Sequence, residues 1–343
     1  MKQLANVLYV TTPEAYLSLD GENVVIKKDE QTSTRLPLHN LENIVCFNYL
    51  GASPALMGAC AERNVGLCFL TPNGKFQARV TGKVRGNVLL RKKQYRVSED
   101  EAASAPIAAS FLLGKIANSR KVVERALRDH ALLVDGEKLS QVSAALKSIL
   151  TVLPTCSTIA ELMAFEGSAA KLYFGIFDQM ILQQRGDFPF TERSRRPPLD
   201  RMNALLSFLY TLLTNEVASA LEAVGLDPYV GFLHQDRPGR PSLALDLMEE
   251  LRPVFADRLA LSLVNRKQVT GRGFVAKESG GILMDDDTRK TVLSAWQDRK
   301  KEQILHPYLK ERIPFGLLPH VQAMLLARHL RGDLDAYPPF FWS

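Results

Sequence analysis

The chain has 343 residues, of which 46% are hydrophobic and 23% charged, with a formal net charge of +6. That length exceeds one ordinary core and makes two domains the expectation, and the balanced composition excludes a low-complexity or disordered chain. No apolar run reaches the roughly 18 residues that a bilayer span requires, so no membrane association is expected.

The first residues, MKQLANVLYV, pass straight into a strand pattern without a leader cleavage site. The four cysteines show no CxxC spacing and read as reduced thiols of a cytoplasmic protein. Residues 1–97 read as a β-rich domain. Asn6–Thr12 is a β-rich run, and Asp20-Gly21 between Tyr16–Leu19 and Asn23–Lys27 is a hairpin signal. Leu36–Phe47 alternates, Pro54–Asn64 reads as one short helix, and Val65–Thr71 leads to a turn at Asn73-Gly74. Gln77–Arg79 and Asn87–Tyr95 are read as the strands that close the unit.

Charge is placed unevenly: residues 1–97 hold 13 Lys and Arg against 7 Asp and Glu, and the remainder balances at 30 of each. Between Arg79 and Arg96, the residues Arg79, Lys83, Arg85, Arg91, Lys92, Lys93 and Arg96 meet no acid. Such a stripe suits a nucleic-acid backbone; the other reading is an edge strand whose charges guard against aggregation.

Residues 98–105, acidic and small, are expected to be a linker. Residues 106–343 are then expected to be all-helical, giving an α+β multidomain protein with a β-rich N-terminal domain and an α-helical C-terminal catalytic domain. The pattern predicts helices over Pro106–Asp135, Lys138–Leu153, a stretch from about Thr158 to Gln184, Leu199–Val224 and Val254–Arg266. A small hairpin is expected around Gly280-Gly281, then helices over Thr288–Leu305 and Pro319–Gly332. The aromatic tail from Tyr337 to Trp342 would be costly to expose and is expected to dock on its own domain.

Three features carry chemistry. Glu166 falls in the apolar stripe of its helix, with Leu162, Met163, Ala169, Ala170 and Tyr173 around it. A carboxylate there must be protonated, be paired with a base such as Arg252 or Arg258, or bind a metal. Asn203 is likewise a lone polar residue in apolar company, placed to orient a ligand or to cap a helix end. Between Gly225 and Pro253, His234 on a Pro/Gly-rich loop is followed by a helix on which Asp246, Glu249 and Glu250 share one face. That stripe is either a metal-holding surface or the solvated side of an amphipathic helix. Together Glu166, His234 and Glu249 supply two carboxylates and one imidazole, a set suited to Mn²⁺ or Mg²⁺ with coordination positions left open. Asp246 is placed to ligate directly or to act as a base. The remaining histidines lack such company.

Four segments in order, AFEGSAAKLYF at 164–174, MNALLSFLYTLL at 202–213, GLDPYVGFLH at 225–234 and PSLALDLMEELRP at 241–253, resemble the CRISPR-associated endonuclease/integrase that inserts new spacers into CRISPR arrays. GNVLLRKKQY at 86–95 extends the similarity, and the whole looks most like type I, subtype C members. The resemblance implies a metal-dependent DNA enzyme that joins 3′-hydroxyls of a short fragment to the repeat by transesterification. It also implies a homodimer that assembles with a small CRISPR-associated partner protein. The family's metal triad lands on Glu166, His234 and Glu249, its additional acid on Asp246, and its Asn and Tyr positions on Asn203 and Tyr173. Basic segments with Arg193, Arg195 and Arg196, with Arg266 and Arg272, and with Arg237 and Arg240 beside His234 would meet the DNA backbone. Two other readings remain: a non-catalytic DNA-binding scaffold, and a general metal-dependent nuclease that uses water as nucleophile.

Overall fold

A computed structural model of the chain describes residues 6–12, 14–28, 33–47, 50–71, 76–82, 88–278 and 280–342. The turn expected at Asn73-Gly74, and Lys83 and Arg85, lie outside the described residues. The chain divides into two compact units, 1–85 and 86–343.

In the first unit, strands Asn6–Val10 (β1), Tyr16–Asp20 (β2), Asn23–Lys27 (β3), Ser33–Pro37 (β4) and Leu41–Cys46 (β5) precede the helix Pro54–Arg63 (α1); Gly66–Leu70 (β6) and Phe76–Val80 (β7) follow it. β2, β3 and β4 form an antiparallel meander, whose first turn places Gly21 at φ 58°, a conformation that glycine adopts without strain. The second sheet runs β1-β5-β6-β7, parallel except for its last strand. Apolar side chains of both sheets and α1, among them Leu17, Val24, Ile44, Leu56 and Leu67, are buried in one core. Cys46 and Cys60 are free and buried there, Cys68 is free and buried on β6, and burial pushes all three thiols up, which keeps them unreactive.

The second unit opens with a correction. Residues 88–99, expected to begin as a closing strand, form a helix (α2, Val88–Glu99), and Asp100 caps the next one, Glu101–Asp129 (α3). The expected linker at 98–105 is therefore the junction of two helices. Leu90, Gln94 and Val97 recur at helical spacing and are buried, and the Asp100 carboxylate accepts from the N–H of Ala102 and Ala103. The small residues that suggested a linker are good helix formers once that cap is in place.

Gly136–Val152 (α4) is capped by Asp135, and Ile159–Phe174 (α5) starts with a Thr158/Glu161 capping box. α5 ends before Gly175, well short of the expected Gln184, and only a single 3₁₀ turn follows at Phe177–Met180. Arg201–Val224 (α6), capped by Asp200 and closed by Gly225 at φ 89°, is long and apolar enough to cross a membrane by length and composition. Its most apolar window is 67% buried within the protein, as befits a central helix.

Ser242–Glu249 (α7) leads through a π-helical turn, Pro253–Asp257, into Arg258–Asn265 (α8). The ribbon Phe274–Ala276 (β8) and Ile282–Met284 (β9) matches the expected hairpin. Asp286–Lys301 (α9) stops before the expected Leu305, because Gln303–Leu305 (β10) pairs with Arg312–Pro314 (β11). The unit closes on Leu318–Arg331 (α10) and is helical as expected, with two small ribbons among its helices.

The tail docks on its own unit. Buried Glu250, next to the end of α7, accepts hydrogen bonds from Gln322 Nε2 (3.0 Å), the Phe340 N–H (2.7 Å) and the Tyr337 hydroxyl. Asn118 of α3 donates to the Phe340 carbonyl (2.9 Å) and accepts from the Trp342 N–H (2.7 Å). The Trp342 ring lies under the Arg258 guanidinium at 4.1 Å.

Two outcomes follow. A Cβ on Gly114 of α3 would lie 2.7 Å from the Glu250 Cβ, so Gly114→Ala should overpack α3 against the end of α7. A loss of about 1–3 kcal/mol is expected, read as a lower melting temperature. Burial pushes the Glu250 carboxyl from 4.5 up to about 7, its hydrogen-bond donors offsetting only part of the effect. The folded state therefore holds this proton more tightly than the unfolded chain. This group's stabilisation is complete below about pH 4.5 and declines as pH rises to about 7, by up to about 3 kcal/mol. Glu250→Gln should flatten that part of the stability–pH curve in denaturant titrations.

Candidate active site

α7 is an eight-residue helix with Asp246 and Glu249 in its C-terminal half and Glu250 directly after it, and all three acids are buried. A solvated acidic face is thereby ruled out: each carboxylate has to find partners inside the protein.

Asp246 finds four. Its Oδ2 accepts the N–H of Phe232 (2.7 Å) and Leu233 (2.9 Å), and its Oδ1 accepts the N–H of His234 (3.0 Å) and meets His234 Nδ1 at 2.6 Å. A carboxylate can only accept, so Nδ1 carries a proton in this contact and Nε2 is the ring nitrogen that Asp246 leaves unengaged. Gly231 makes the approach feasible, since a Cβ there would lie 2.7 Å from Asp246 Oδ2. With both oxygens engaged, Asp246 holds the loop and the imidazole; it does not stand free as a ligand or a base.

Glu249 is 2% exposed and lies between two cations. Its Oε1 pairs with Arg252 Nη1 at 2.8 Å, and its Oε2 lies 2.8 Å from Lys115 Nζ. Burial pushes this carboxyl up, but Arg252 first, then Lys115 and His234, outweigh it and hold the group down at about 2. The His234 imidazole is therefore near enough for its charge to act on Glu249. Oε2 has the Lys115 ammonium as its partner and lies fully buried beside it.

Glu166 comes from α5. Its side chain is 23% exposed, at the rim of the apolar stripe and not at its centre, and a Cβ on the adjacent Gly167 would meet only open space. Its partner is neither Arg252 nor Arg258. Glu166 Oε1 pairs with Lys115 Nζ, so one ammonium from α3 joins the carboxylates of α5 and α7. Among the described residues, no three His, Cys, Asp or Glu side chains are gathered into a finished metal cage; the lysine stands between the two glutamates. Two carboxylates that share one cation, and an imidazole whose Nδ1 is held by Asp246, are donor types that suit a divalent ion.

Asn203 and Tyr173 make their contacts elsewhere. Asn203 holds the loop after α5: its Nδ2 donates to the Glu192 carbonyl (2.8 Å), and its Oδ1 accepts from the Ser194 N–H (3.1 Å) and Arg193 Nη1 (2.6 Å). Tyr173 is buried against Phe174 and Phe177 with its hydroxyl beside Asp257, and burial followed by Asp257 pushes that hydroxyl well above its usual range. Asp257 accepts from Tyr210 Oη (2.6 Å), over whose ring Arg193 and Arg252 stack at 5.2 and 4.8 Å. Arg193 is thus turned inward, away from the DNA-facing role expected of it.

The other basic residues divide in the same way. Arg91 Nε donates to the Gly225 carbonyl (3.1 Å), Arg240 is half-buried, and Arg79 is half-buried in β7. Lys92, Lys93, Arg195, Arg196, Arg237, Arg266 and Arg272 are exposed.

Two functional residues escaped the sequence reading. Lys115 is a lone cation between Phe111, Leu112 and Ile116, the same signal that singled out Glu166. Gln94 of α2 is buried and clamps the approach to His234, donating to the carbonyls of Asp227 and Val230 (both 2.8 Å) and accepting from the Asp227 N–H (2.9 Å). Reading 87–95 as a strand hid it.

The sequence matches the profile of the family CRISPR associated protein Cas1 over residues 8–298. It is 54% identical over 347 residues, spanning all of both chains, to CRISPR-associated endonuclease Cas1 2 of Rhodospirillum rubrum. Its fold is similar to that of a casposase bound to integration product, with a TM-score of 0.84 at 20% identity, covering 98% of this chain and 94% of that one. A Cas6-RT-Cas1–Cas2 complex contains a chain of which 36% matches all of this one, with a TM-score of 0.81 at 21% identity. At those identities the two structures establish the fold alone. A profile match over most of the length, joined to a full-length relative that agrees at more than half of the aligned positions, places the chain in the Cas1 family of CRISPR-associated endonucleases.

Proposed function

We propose that the chain is a divalent-metal-dependent DNA integrase that joins the 3′-hydroxyl of a short DNA fragment to a CRISPR repeat. The observation that carries this reading is the shared cation of Glu166 and Glu249, with His234 held beside Glu249 and its Nε2 left unengaged by Asp246. Names of relatives add support: the Rhodospirillum rubrum relative is an endonuclease, and the casposase of matching fold is bound to integration product.

Glu166, His234 and Glu249 would hold the ion. Bound there, Mn²⁺ or Mg²⁺ supplies Lewis-acid polarisation of a phosphate oxygen and charge for the attacking hydroxyl. Asp246 would hold the imidazole by Nδ1 and leave Nε2 for the ion. Arg252, tied to Glu249 Oε1 and stacked on Tyr210, holds the buried carboxylate ionised and oriented. In the reaction the 3′-oxygen forms a bond to phosphorus as the bond between phosphorus and the leaving 3′-oxygen of the repeat breaks; the attacking hydroxyl gives its proton to solvent and the leaving oxygen takes one up from solvent. No protein nucleophile is needed, so the protein's part is to position and stabilise.

Exposed Lys92, Lys93, Arg195, Arg196, Arg237, Arg266 and Arg272 suit backbone contacts without base reading. The chain would work in the cytoplasm as a homodimer with a small CRISPR-associated partner protein. The Cas6-RT-Cas1–Cas2 complex, whose printed name includes Cas2, supports the partner.

Glu166→Ala should abolish Mn²⁺-dependent strand transfer on a fragment and a repeat duplex while leaving duplex binding nearly intact. A non-catalytic scaffold would have no such activity to lose. A branched DNA substrate separates the remaining alternative: an integrase reseals the branch, whereas a water-using nuclease only cuts it. Asp246→Asn should lower strand transfer about 10–100-fold, since an amide cannot accept all four N–H donors. Lys92→Ala with Lys93→Ala should weaken duplex binding at every sequence and reduce the salt slope by about 1–2.

A further inference from the structure

Lys115 lies on α3 with Phe111, Leu112 and Ile116 buried beside it, and its side chain is 10% exposed. A buried ammonium is tolerated only against carboxylates, and here it has two, one from each of two other helices. Like charges sharing a site repel unless a cation lies between them, and Lys115 is the cation that Glu166 and Glu249 share.

The two cations on Glu249 differ in how firmly they are held. Arg252 is planar, pairs with Oε1 and stacks on the Tyr210 ring at 4.8 Å, so its position is fixed on two sides. Lys115 is a point charge on a flexible four-carbon stem, held at its end by Glu166 Oε1 and by Glu249 Oε2 at 2.8 Å. Glu166 keeps 23% of its side chain exposed and Lys115 10%, so the outer side of the pair meets solvent.

We propose that Lys115 is the built-in occupant of the cation site, and that a divalent ion enters by displacing its ammonium from between Glu166 and Glu249. This rests on the reading of those two residues as metal ligands. The lysine keeps the metal-free carboxylate pair neutralised, and it sets the divalent-ion concentration at which the site loads. Monovalent cations, with no more charge than the ammonium and no tether, do not dislodge it.

The test is Mn²⁺ titration calorimetry on the full chain, comparing wild type, Lys115→Met and Glu249→Gln, with melting temperatures in parallel. Lys115→Met should bind Mn²⁺ at least about tenfold more tightly. Its metal-free form should melt below wild type, and saturating Mn²⁺ should raise its melting temperature more than it raises that of wild type. On wild-type protein, amine acylation read by mass spectrometry should label Lys115 more when Mn²⁺ is present; this needs no variant and decides alone if Lys115→Met does not fold. Equal or weaker Mn²⁺ binding by Lys115→Met, or Lys115 labelling that does not rise with Mn²⁺, overturns the inference. Wild type that binds no Mn²⁺, or Glu249→Gln that binds it as wild type does, overturns the metal-site reading itself and this inference with it.

Discussion

Burying Glu249 between Lys115 and Arg252 is the constraint from which the rest of the helical unit follows. An ionised carboxylate left unpaired in such a place costs several kcal/mol, so the elements that bring its partners cannot drift. Neighbouring acids on the same short stretch impose the same condition on other parts of the chain. Asp246 fixes the loop at 232–234, and Glu250 fixes α10 and the C-terminal tail. Three carboxylates in a stretch of five residues thus tie α3, the histidine loop and the tail to α7. A shift of α7 along its axis would break all three sets of contacts together.

That arrangement spreads outward. Arg252 passes from Glu249 to the face of Tyr210, Tyr210 donates to Asp257, and Arg193 covers the same ring from the loop that Asn203 holds. Burial raises Asp257 to about 6, with Tyr210 and Arg252 pulling the other way, so this region carries more charge than its hydrogen bonds fully offset. Natural cores avoid such groups unless they do something, because an apolar replacement is often as stable or more so. Their concentration around α6 and α7 is itself a sign of function.

Much of this was legible in the residues. Strand-to-helix order, the Asp20-Gly21 turn and the long apolar helix α6 all rest on local chemistry that the chain carries on its face. Glu166 was visible for the same reason: a charge at an apolar wheel position has to be explained. The errors have physical causes as well. α2 was read as a strand because Val88, Leu89 and Leu90 with the basic residues after them suit an edge strand; what decides for helix is the buried register Leu90, Gln94 and Val97, set by packing. α9 was read too long because a ribbon between β10 and β11 needs a partner strand that carries no local signal. Pairing was the least legible of all: Glu166 and Lys115 are separated by 51 positions, and no local pattern says which buried cation meets which buried acid.

The exposure of the candidate ligands argues for the size of the substrate. Glu249 is 2% exposed and Asp246 fully buried, whereas Glu166 and His234 keep 23% and 20% of their side chains open. The inner side of the site is therefore closed and anchored, and the outer side is a rim. A small metabolite could be enclosed on every side, and a pocket made for one would bury its catalytic groups more evenly. A duplex cannot enter a helical core, so its phosphate has to be met at the surface by groups whose orientation is set from beneath. Here the setting is done by Asp246, Arg252 and Gln94, none of which need touch the substrate. Exposed arginines and lysines on separate loops and on α2 suit a long polyanion that spreads its charge well beyond one phosphate. A one-sided site with a rigid floor and a scattered basic surround is what phosphodiester chemistry on DNA requires of a fold built mostly from helices.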